Sequence, residues 1–464
     1  MRAVRVEMEP FELVNILEMN CTREVNCHGV LRVSGLIRQE KEQEYLDMAG
    51  KETWVNVNAI LENGEKTCFF HGILTGLWIK RADQAPVLAV EIKTGSALLD
   101  MQAHTRSFQD TSFLYSEVIR ACLNPAEGKV IMLEKKEETI GRFLLQYHET
   151  DWEFMRRLAS YAGTVLIPED VTPGKKVYFG YRKNQLPEEL KADSYRMEQD
   201  YEGYRKKESL GMDGLVLWDS ISYIVQTREI YKLGECVNFA GRTYTICRID
   251  SSFKGQELFH EYRLSSKKSG QLPAFYNHAL AGVSLKAEVI AVEKTMVKVR
   301  LQEDENKNHC RNRWFDYATV YSTPDGTGWY CMPEIGDTVR LVFPDAHEDN
   351  AYVSGSIHTG AAGGRSNPEE KSWKNKQNKE ILFTPGSIIL RNNNGLLLEL
   401  SDGEGIRICS NRDIMMQSEG DIRIVSGGGG IQMSSGSSIL MQQGAAKIKM
   451  DDAIHISGGK IYMN

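Results

Sequence analysis

Across residues 379–464 a short apolar-x-apolar triplet returns at near-regular intervals, and few folds can absorb such a pattern. Its members are Leu398-Glu399-Leu400, Ile406-Arg407-Ile408, Ile414-Met415-Met416, Ile422-Arg423-Ile424, Ile431-Gln432-Met433, Ile439-Leu440-Met441, Ile448-Lys449-Met450, Ile454-His455-Ile456 and Ile461-Tyr462-Met463. The first residues of successive triplets advance by 8, 8, 8, 9, 8, 9, 6 and 7. Gly, Ser, Asn and Asp, which allow sharp corners, fill the intervals. Repetition at so short a period indicates a β-helix or solenoid.

What covers the triplets decides the architecture. In a strand, two side chains spaced by two lie on one face. Burying eighteen of them is worth on the order of 30–50 kcal/mol per chain, an upper bound; left bare, the stripe would aggregate. A single-chain solenoid with three rungs per coil would use ~24 residues, close only about three coils and leave its ends uncapped. Three chains winding together, each giving one face of a triangular prism, would pair every edge. The expectation is therefore an intertwined trimeric triangular β-helix, a rigid prism roughly 45–50 Å long. Its core would be Ile406, Ile408, Ile414, Met416, Ile422, Ile424, Ile431, Met433, Ile439, Met441, Ile448, Met450, Ile454 and Ile456, and its tip Ile461, Met463 and Asn464.

The 464 residues suggest about three domains at roughly 150 residues each. With 41% hydrophobic and 26% charged residues the chain is a folded protein, not a disordered one. No apolar run approaches the ~18 residues of a membrane span, and Arg2, Arg5, Glu7 and Glu9 stand where a signal peptide would be oily. A net charge of −7 lacks the positive field that nucleic-acid binding needs. Nine cysteines, odd in number and without a CxxC, argue against a disulfide framework or zinc ribbon. Cys21, Cys27 and His28 make half a metal site with no second half.

Alternating runs near Val30–Val33, Trp54–Ile60, Phe69–Leu74 and Val87–Ile92 predict antiparallel strands of a small barrel, and a second strand-rich block spans roughly 210–268. The two blocks show no convincing sequence repeat. Between them Leu114, Val118, Ile119 and Cys122 recur at helical spacing. Thr150-Asp151-Trp152-Glu153 is a capping box that opens a helix at 151–162, with Gly163 as its stop. Strands separated by polar turns over 284–360 fit a five-stranded OB barrel.

Four motifs carry a family resemblance. Phe70-His71-Gly72-Ile73-Leu74-Thr75 and Arg106-Ser107-Phe108-Gln109 lie in the first half, and Gln146-Tyr147-His148-Glu149-Thr150-Asp151-Trp152-Glu153-Phe154 with Arg157-Leu158 follows. Pro333-Glu334-Ile335-Gly336-Asp337 with Val339 and Phe343 lies in the OB block. In this order, and with the C-terminal rungs, the chain resembles the VgrG family and the fused hub and spike proteins of contractile phage tails. The resemblance implies a mainly β fold: a tail-hub-like domain at 1–270 with two barrels around a helical segment 106–165, a linker at 271–283, an OB-fold at 284–360, a linker at 361–378 and a needle at 379–464. Gln146, Tyr147, Glu149, Thr150, Asp151, Glu153, Pro333, Gly336 and Asp337 are the structural residues of its motifs.

It implies a homotrimer whose hub matches a hexameric tail tube, sits among baseplate proteins and carries a needle that punctures an envelope on sheath contraction. A PAAR-type tip protein and effector cargo are the further expected partners. The protein would be assembled in the cytoplasm into a tail-like particle, touch the target membrane transiently and bind no nucleic acid. The linker at 361–378 is too short for the lysozyme domain some phage relatives carry. The chain ends directly after a rung, so no appended effector is expected, although the last rungs depart from the family register.

No catalytic residue, cofactor or metal is expected. His148, Glu149, Asp151 and Glu153 read as a helix start; Asp345, His347, Glu348 and Asp349 as a solvated hairpin turn; Gly427 to Gly430 as a corner. The competing readings are a solenoid-supported polysaccharide-cleaving enzyme, using carboxylates such as Asp451 and Asp452, and an OB-type binder of nucleic acid or glycan. The two aspartates are neighbours and would face opposite sides of a strand.

Overall fold

The computed structural model describes residues 3–48, 50–82, 85–182, 187–254, 257–307, 311–358 and 367–462. The chain forms two compact units, Met1–Gly360 and Ala361–Asn464.

The first unit begins with a strand block: β1 (Ala3–Glu9), β2 (Asn15–Glu24), β3 (Val30–Leu36), helix α1 (Glu42–Met48), β4 (Trp54–Leu61), β5 (Lys66–Ala82) and β6 (Ala85–Lys93). Alternation buries Val55, Val57, Ala59 and Leu61 of β4 with Phe11 and Phe70 in one core. A connector follows with β7 (Ala103–Phe108), α2 (Tyr115–Leu123), β8 (Lys129–Met132), β9 (Leu144–Thr150), α3 (Asp151–Tyr161), β10 (Leu166–Pro168) and β11 (Lys176–Phe179). The expected helical segment 106–165 thus also holds strands; its core gathers Trp152, Phe154 and Leu158. The second block holds β12 (Glu188–Glu189), β13 (Ser194–Gln199), α4 (Tyr201–Ser209), β14 (Ile221–Thr227), β15 (Cys236–Phe239), β16 (Arg242–Lys254), β17 (Glu257–Ser265) and α5 (Lys267–Gly270). Its separate core includes Val225, Ile249 and Tyr262. Pairing of β2 with β16 joins both blocks into one sheet in the order β1-β4-β5-β6-β3-β2-β16-β17-β14-β13.

The two blocks are duplicates in strand order. In the first, β2 pairs β3, β3 pairs β6, β6 pairs β5 and β5 pairs β4; in the second, β13 pairs β14, β14 pairs β17, β17 pairs β16 and β16 pairs β15, all antiparallel. Even a bulge recurs: the register shift at Leu74/Gly76 of β5 matches that at Ile246/Arg248 of β16. The repeat lies in strand order and not in the residues, in keeping with the absence of a convincing sequence repeat. Not one residue of β16 and β17 is identical to its counterpart in β5 and β6, so only the pairing pattern records the duplication.

At the seam between the blocks, Arg23 of β2 pairs with Asp170 at 3.0 Å and donates to Ser251 Oγ, which also meets His260 Nδ1 at 2.8 Å. Burial, with Arg23 adding to it, pushes the His260 imidazole down to about 3. The unfolded chain therefore binds a proton that the folded one refuses, so this contribution is intact above pH ~6.5 and is lost as pH falls toward 3. Expected is a loss of up to about 1.4 kcal/mol of stability per pH unit across that window. A His260→Gln variant should flatten that slope in thermal unfolding measured at successive pH values.

The first unit ends in a closed barrel of β18 (Ser284–Glu293), β19 (Met296–Leu301), β20 (Trp314–Ala318), β21 (Thr338–Val342) and β22 (Tyr352–Ser356), in the order β18-β19-β20-β22-β21.

The second unit opens with an antiparallel meander of β23 (Lys371–Lys374), β24 (Glu380–Thr384), β25 (Ser387–Arg391), β26 (Leu397–Ser401) and β27 (Gly405–Cys409). The segment expected as a linker at 361–378 therefore contains a strand, β23. A second meander holds β28 (Ile439–Gln443), β29 (Ala446–Met450) and β30 (Ile454–Ser457). Residues 410–438 between them form no strand and carry the Ile414, Ile422 and Ile431 triplets. In both meanders neighbouring rungs pair within the chain.

Candidate functional site

Two features of the molecule have the character of working parts: a buried ionic joint in the first unit and an uncovered apolar face in the second.

The joint is built on β9 and α3. Thr150 caps α3, its Oγ1 accepting from the Glu153 amide at 3.1 Å while the Glu153 carboxylate accepts from the Thr150 amide at 3.0 Å. One turn later Arg157 points inward and is fully buried. All five of its N–H donors are used. Nε and one terminal nitrogen grip Glu149 at 2.9 and 2.6 Å, and that nitrogen also reaches the Leu145 carbonyl at 2.9 Å. The other donates to Glu348 at 2.5 Å and to the Tyr161 hydroxyl at 3.2 Å. Glu348 lies between β21 and β22, so one guanidinium ties connector to barrel. Burial raises the Glu149 carboxyl; Arg157 opposes the shift and Glu348 adds to it. The reading of Asp345, His347, Glu348 and Asp349 as a solvated turn is corrected for Glu348, which is buried; His347 and Asp349 are exposed, with Asp349 accepting from the Phe143 amide at 3.1 Å and pairing with Arg313 at 2.7 Å.

A second clamp uses the loop after β19. Asp304 accepts from the Ser107 amide at 3.0 Å, and Glu305 takes the Thr105 amide at 3.1 Å and Arg106 Nε at 3.2 Å. Arg106 also donates to Gln146 at 3.1 Å and pairs with buried Asp151, which Gln146 Nε2 meets at 3.0 Å. His148, with φ at 49°, is the extra residue of a bulge between β9 and β7. Phe143 and Leu145 enter the barrel core itself, with Tyr147 packed against it.

The segment 271–283, read as a linker, is threaded through this joint: Leu280 is buried in the barrel core, Asn277 donates to the Tyr147 carbonyl at 2.7 Å, and Tyr276 packs on His347 and Tyr161. Within the barrel Pro333 is buried and the Gly336 amide donates to the Val289 carbonyl at 2.8 Å. Gly336 has φ at 92°, a conformation that favours glycine, and Asp337 closes the turn by accepting from the Glu334 amide at 2.9 Å. The motif residues Gln146, Tyr147, Glu149, Thr150, Asp151 and Glu153 thus converge on one joint, whereas Pro333, Gly336 and Asp337 shape the barrel. Glu348, Asp304 and Glu305 were missed; their acidity was visible, their distant partners were not.

In the second unit, cross-strand register sorts the side chains. Trp373, Ile381, Leu390, Leu398 and Ile408 form one row across the first meander, and Phe383, Ile388, Leu400 and Ile406 a second row on the same face. Ser372, Leu382, Ile389, Glu399 and Arg407 take the opposite face. In the second meander Ile439, Met450 and Ile454 align, as do Met441, Ile448 and Ile456, with Leu440, Lys449 and His455 turned away. Ile439 and Met450 are half-buried; Ile406, Ile408, Ile414, Met416, Ile422, Ile424, Ile431, Met433, Met441, Ile448, Ile454, Ile456 and Ile461 are exposed. Met463 and Asn464 lie outside the described residues. A face this apolar and this open has the character of a surface that marks interaction sites. Among the described residues no cluster of three or more His, Cys, Asp or Glu side chains could hold a metal ion, and no helix is long and apolar enough to cross a membrane.

Comparison with known proteins agrees with this anatomy. A family model for the phage tail baseplate hub matches residues 27–208, and a model for the OB domain of type VI secretion and phage-baseplate injectors matches residues 286–358. No curated protein matches the sequence. Among solved structures the chain is similar to the E. coli c3393 protein, described as a type VI secretion component resembling the T4 bacteriophage tail proteins gp27 and gp5. Identity is 13%, over 76% of this chain and 100% of that one, with a TM-score of 0.51. It is also similar to a chain of the Francisella PdpA-VgrG complex in its half-lidded form, with 7% identity, 85% of this chain and 83% of that one covered, and a TM-score of 0.55. These likenesses show the fold, and the two family models together span more than half of the sequence in the order that the motifs predict. The chain belongs to the VgrG and contractile-tail hub-spike family, the hub and spike components of contractile injection machines.

Proposed function

We propose that the chain works as a homotrimeric central spike, in which the first unit is hub and OB collar and the second a needle shared by three copies. One observation carries this reading: the apolar rows of the second unit are open, and residues 410–438 between them form no strand. Burying such a face requires other copies, and three give each copy one side of a prism. The joint supports a mechanical role. The ion pairs of Arg157 and Arg106 hold barrel to hub within the first unit, in a water-poor site where they resist sliding.

In this reading the hub docks on the hexameric tail tube among baseplate proteins, the needle end receives a PAAR-type tip protein and effector cargo, and assembly takes place in the cytoplasm. The role is puncture, without catalysis: Asp451 is engaged by Lys449 at 2.7 Å and His455 at 3.1 Å and is not one of an acid pair. Electron micrographs of the native particle, with a gold label on the second unit, test this. The label is expected at the end of a tail-like structure; label along the tube or sheath, or protein outside any particle, would overturn the reading.

A further inference from the structure

Consecutive arginines on α3 meet opposite surroundings. Arg157 uses all five donors in the joint with the barrel, whereas Arg156 makes no hydrogen bond or ion pair among the described residues, and its Nε is buried without a partner. A buried N–H without an acceptor is uncommon in a folded protein and calls for one that the fold itself does not supply. Arg156 lines a cavity of about 450 Å³, a volume within the range of small-molecule sites. Three parts of the first unit meet there: the end of β2 with Asn26 and Cys27 beyond it, α3, and the second block with α4, β16 and β17.

Charge in the cavity does not balance. Four cations, Arg156, Lys207, Arg248 and Arg263, stand against three carboxylates, Glu24, Asp200 and Asp219. Each carboxylate is engaged: Glu24 accepts from Arg248 at 3.2 Å, Asp200 from the Gly203 amide at 2.8 Å and Asp219 from the Val216 amide at 2.8 Å. Arg263 reaches Glu198 at 3.3 Å, and Lys207 donates to the Ser269 carbonyl. Arg156 is the cation left over. Burial also holds the Lys207 ammonium below its usual range, a shift that an anion beside it would oppose. Ser220, Ser222, Ser269 and Gln271 add hydroxyl and amide groups to the wall. Ligand cavities are mostly apolar with a few polar groups; this one is mostly polar, so its occupant has to be polar over most of its surface.

We propose that the cavity binds a small hydroxylated organic anion, a sugar phosphate or a sugar acid, whose oxyanion is held by the Arg156 guanidinium. That planar group offers two parallel N–H donors, the geometry that phosphate and carboxylate oxygens match. Bound there, the anion bridges β2, α3 and the second block, and so stabilises the hub where its own side chains leave a donor unmet. This inference is independent of the trimer reading.

Isothermal titration calorimetry of the full-length chain tests it with glucose 6-phosphate and gluconate, and with glucose as the uncharged control. At least one of the two anions is expected to bind saturably, about tenfold or more tighter than glucose, and the tighter one identifies the oxyanion. Arg156→Gln should weaken that binding by about tenfold or more and leave the near-UV circular dichroism unchanged, since the side chain has no partner in the fold to lose. A second readout needs no variant. Cys27 is exposed and lines the cavity, so the bound anion should slow its alkylation by N-ethylmaleimide severalfold while exposed Cys331, outside the cavity, reacts as before. The absence of saturable binding by either anion overturns the proposal, as does an Arg156→Gln variant that binds as tightly as the unsubstituted chain. Binding that leaves Cys27 equally reactive puts the anion elsewhere and overturns it as well.

Discussion

Replacing Arg157 with alanine is expected to destabilise the first unit by about 3–5 kcal/mol, the cost of leaving a buried charge without its partner. The loss should be large because two carboxylates, Glu149 and Glu348, both depend on this guanidinium, and the Leu145 carbonyl and Tyr161 hydroxyl lose a donor with it. Glu149 is already pushed up by burial, and without Arg157 it would take a proton more readily still. Thermal unfolding followed by near-UV circular dichroism checks the expectation. A triple variant, Arg157→Met with Glu149→Gln and Glu348→Gln, should recover most of the loss, since a joint without charges no longer has any left unpaired. Equal instability of the single and triple variants would mean that packing, not charge, holds hub to collar.

The second large effect belongs to the needle. Ile422→Asp should abolish trimer formation, because it places three carboxylates in a surface built from isoleucine and methionine. Arg423→Asp, one residue along, should leave the trimer intact: in the strand that the proposed prism requires, adjacent side chains would face opposite ways, and Arg423 is solvent-exposed, pairing with Asp421 at 2.9 Å. In both variants the first unit should keep its near-UV signal, being compact in its own right. If the two substitutions behave alike, the inward and outward assignment of the triplets is wrong.

What the sequence reveals here depends on how local each feature is. The triplet rows are legible because a spacing of two and a period of eight or nine are written in consecutive residues, and the capping box at Thr150 and Glu153 is legible for the same reason. Glu348 was read as solvated because its partner Arg157 lies 191 residues away, and an acidic cluster looks the same whether it faces water or a guanidinium. The strand Lys371–Lys374 hid behind its lysines, and the segment around Leu280 behind a composition typical of linkers. The duplicated blocks are the deepest case. Strand pairing is set by which face of each position is buried, and many side chains satisfy that requirement, so the order of strands persists where every residue of β16 and β17 differs from its counterpart. The in-chain pairing of both needle meanders was invisible for a related reason: a run of alternating rungs fixes which side is apolar, but not whether the next strand comes from the same chain.

Sedimentation equilibrium of the full-length chain at micromolar concentration bears most directly on the idea that the open needle face is shared between copies. A single species near three times 52.5 kDa is the expected result. A stable, monodisperse species of 52.5 kDa would contradict it, since the isoleucine rows would then be facing water in the working protein.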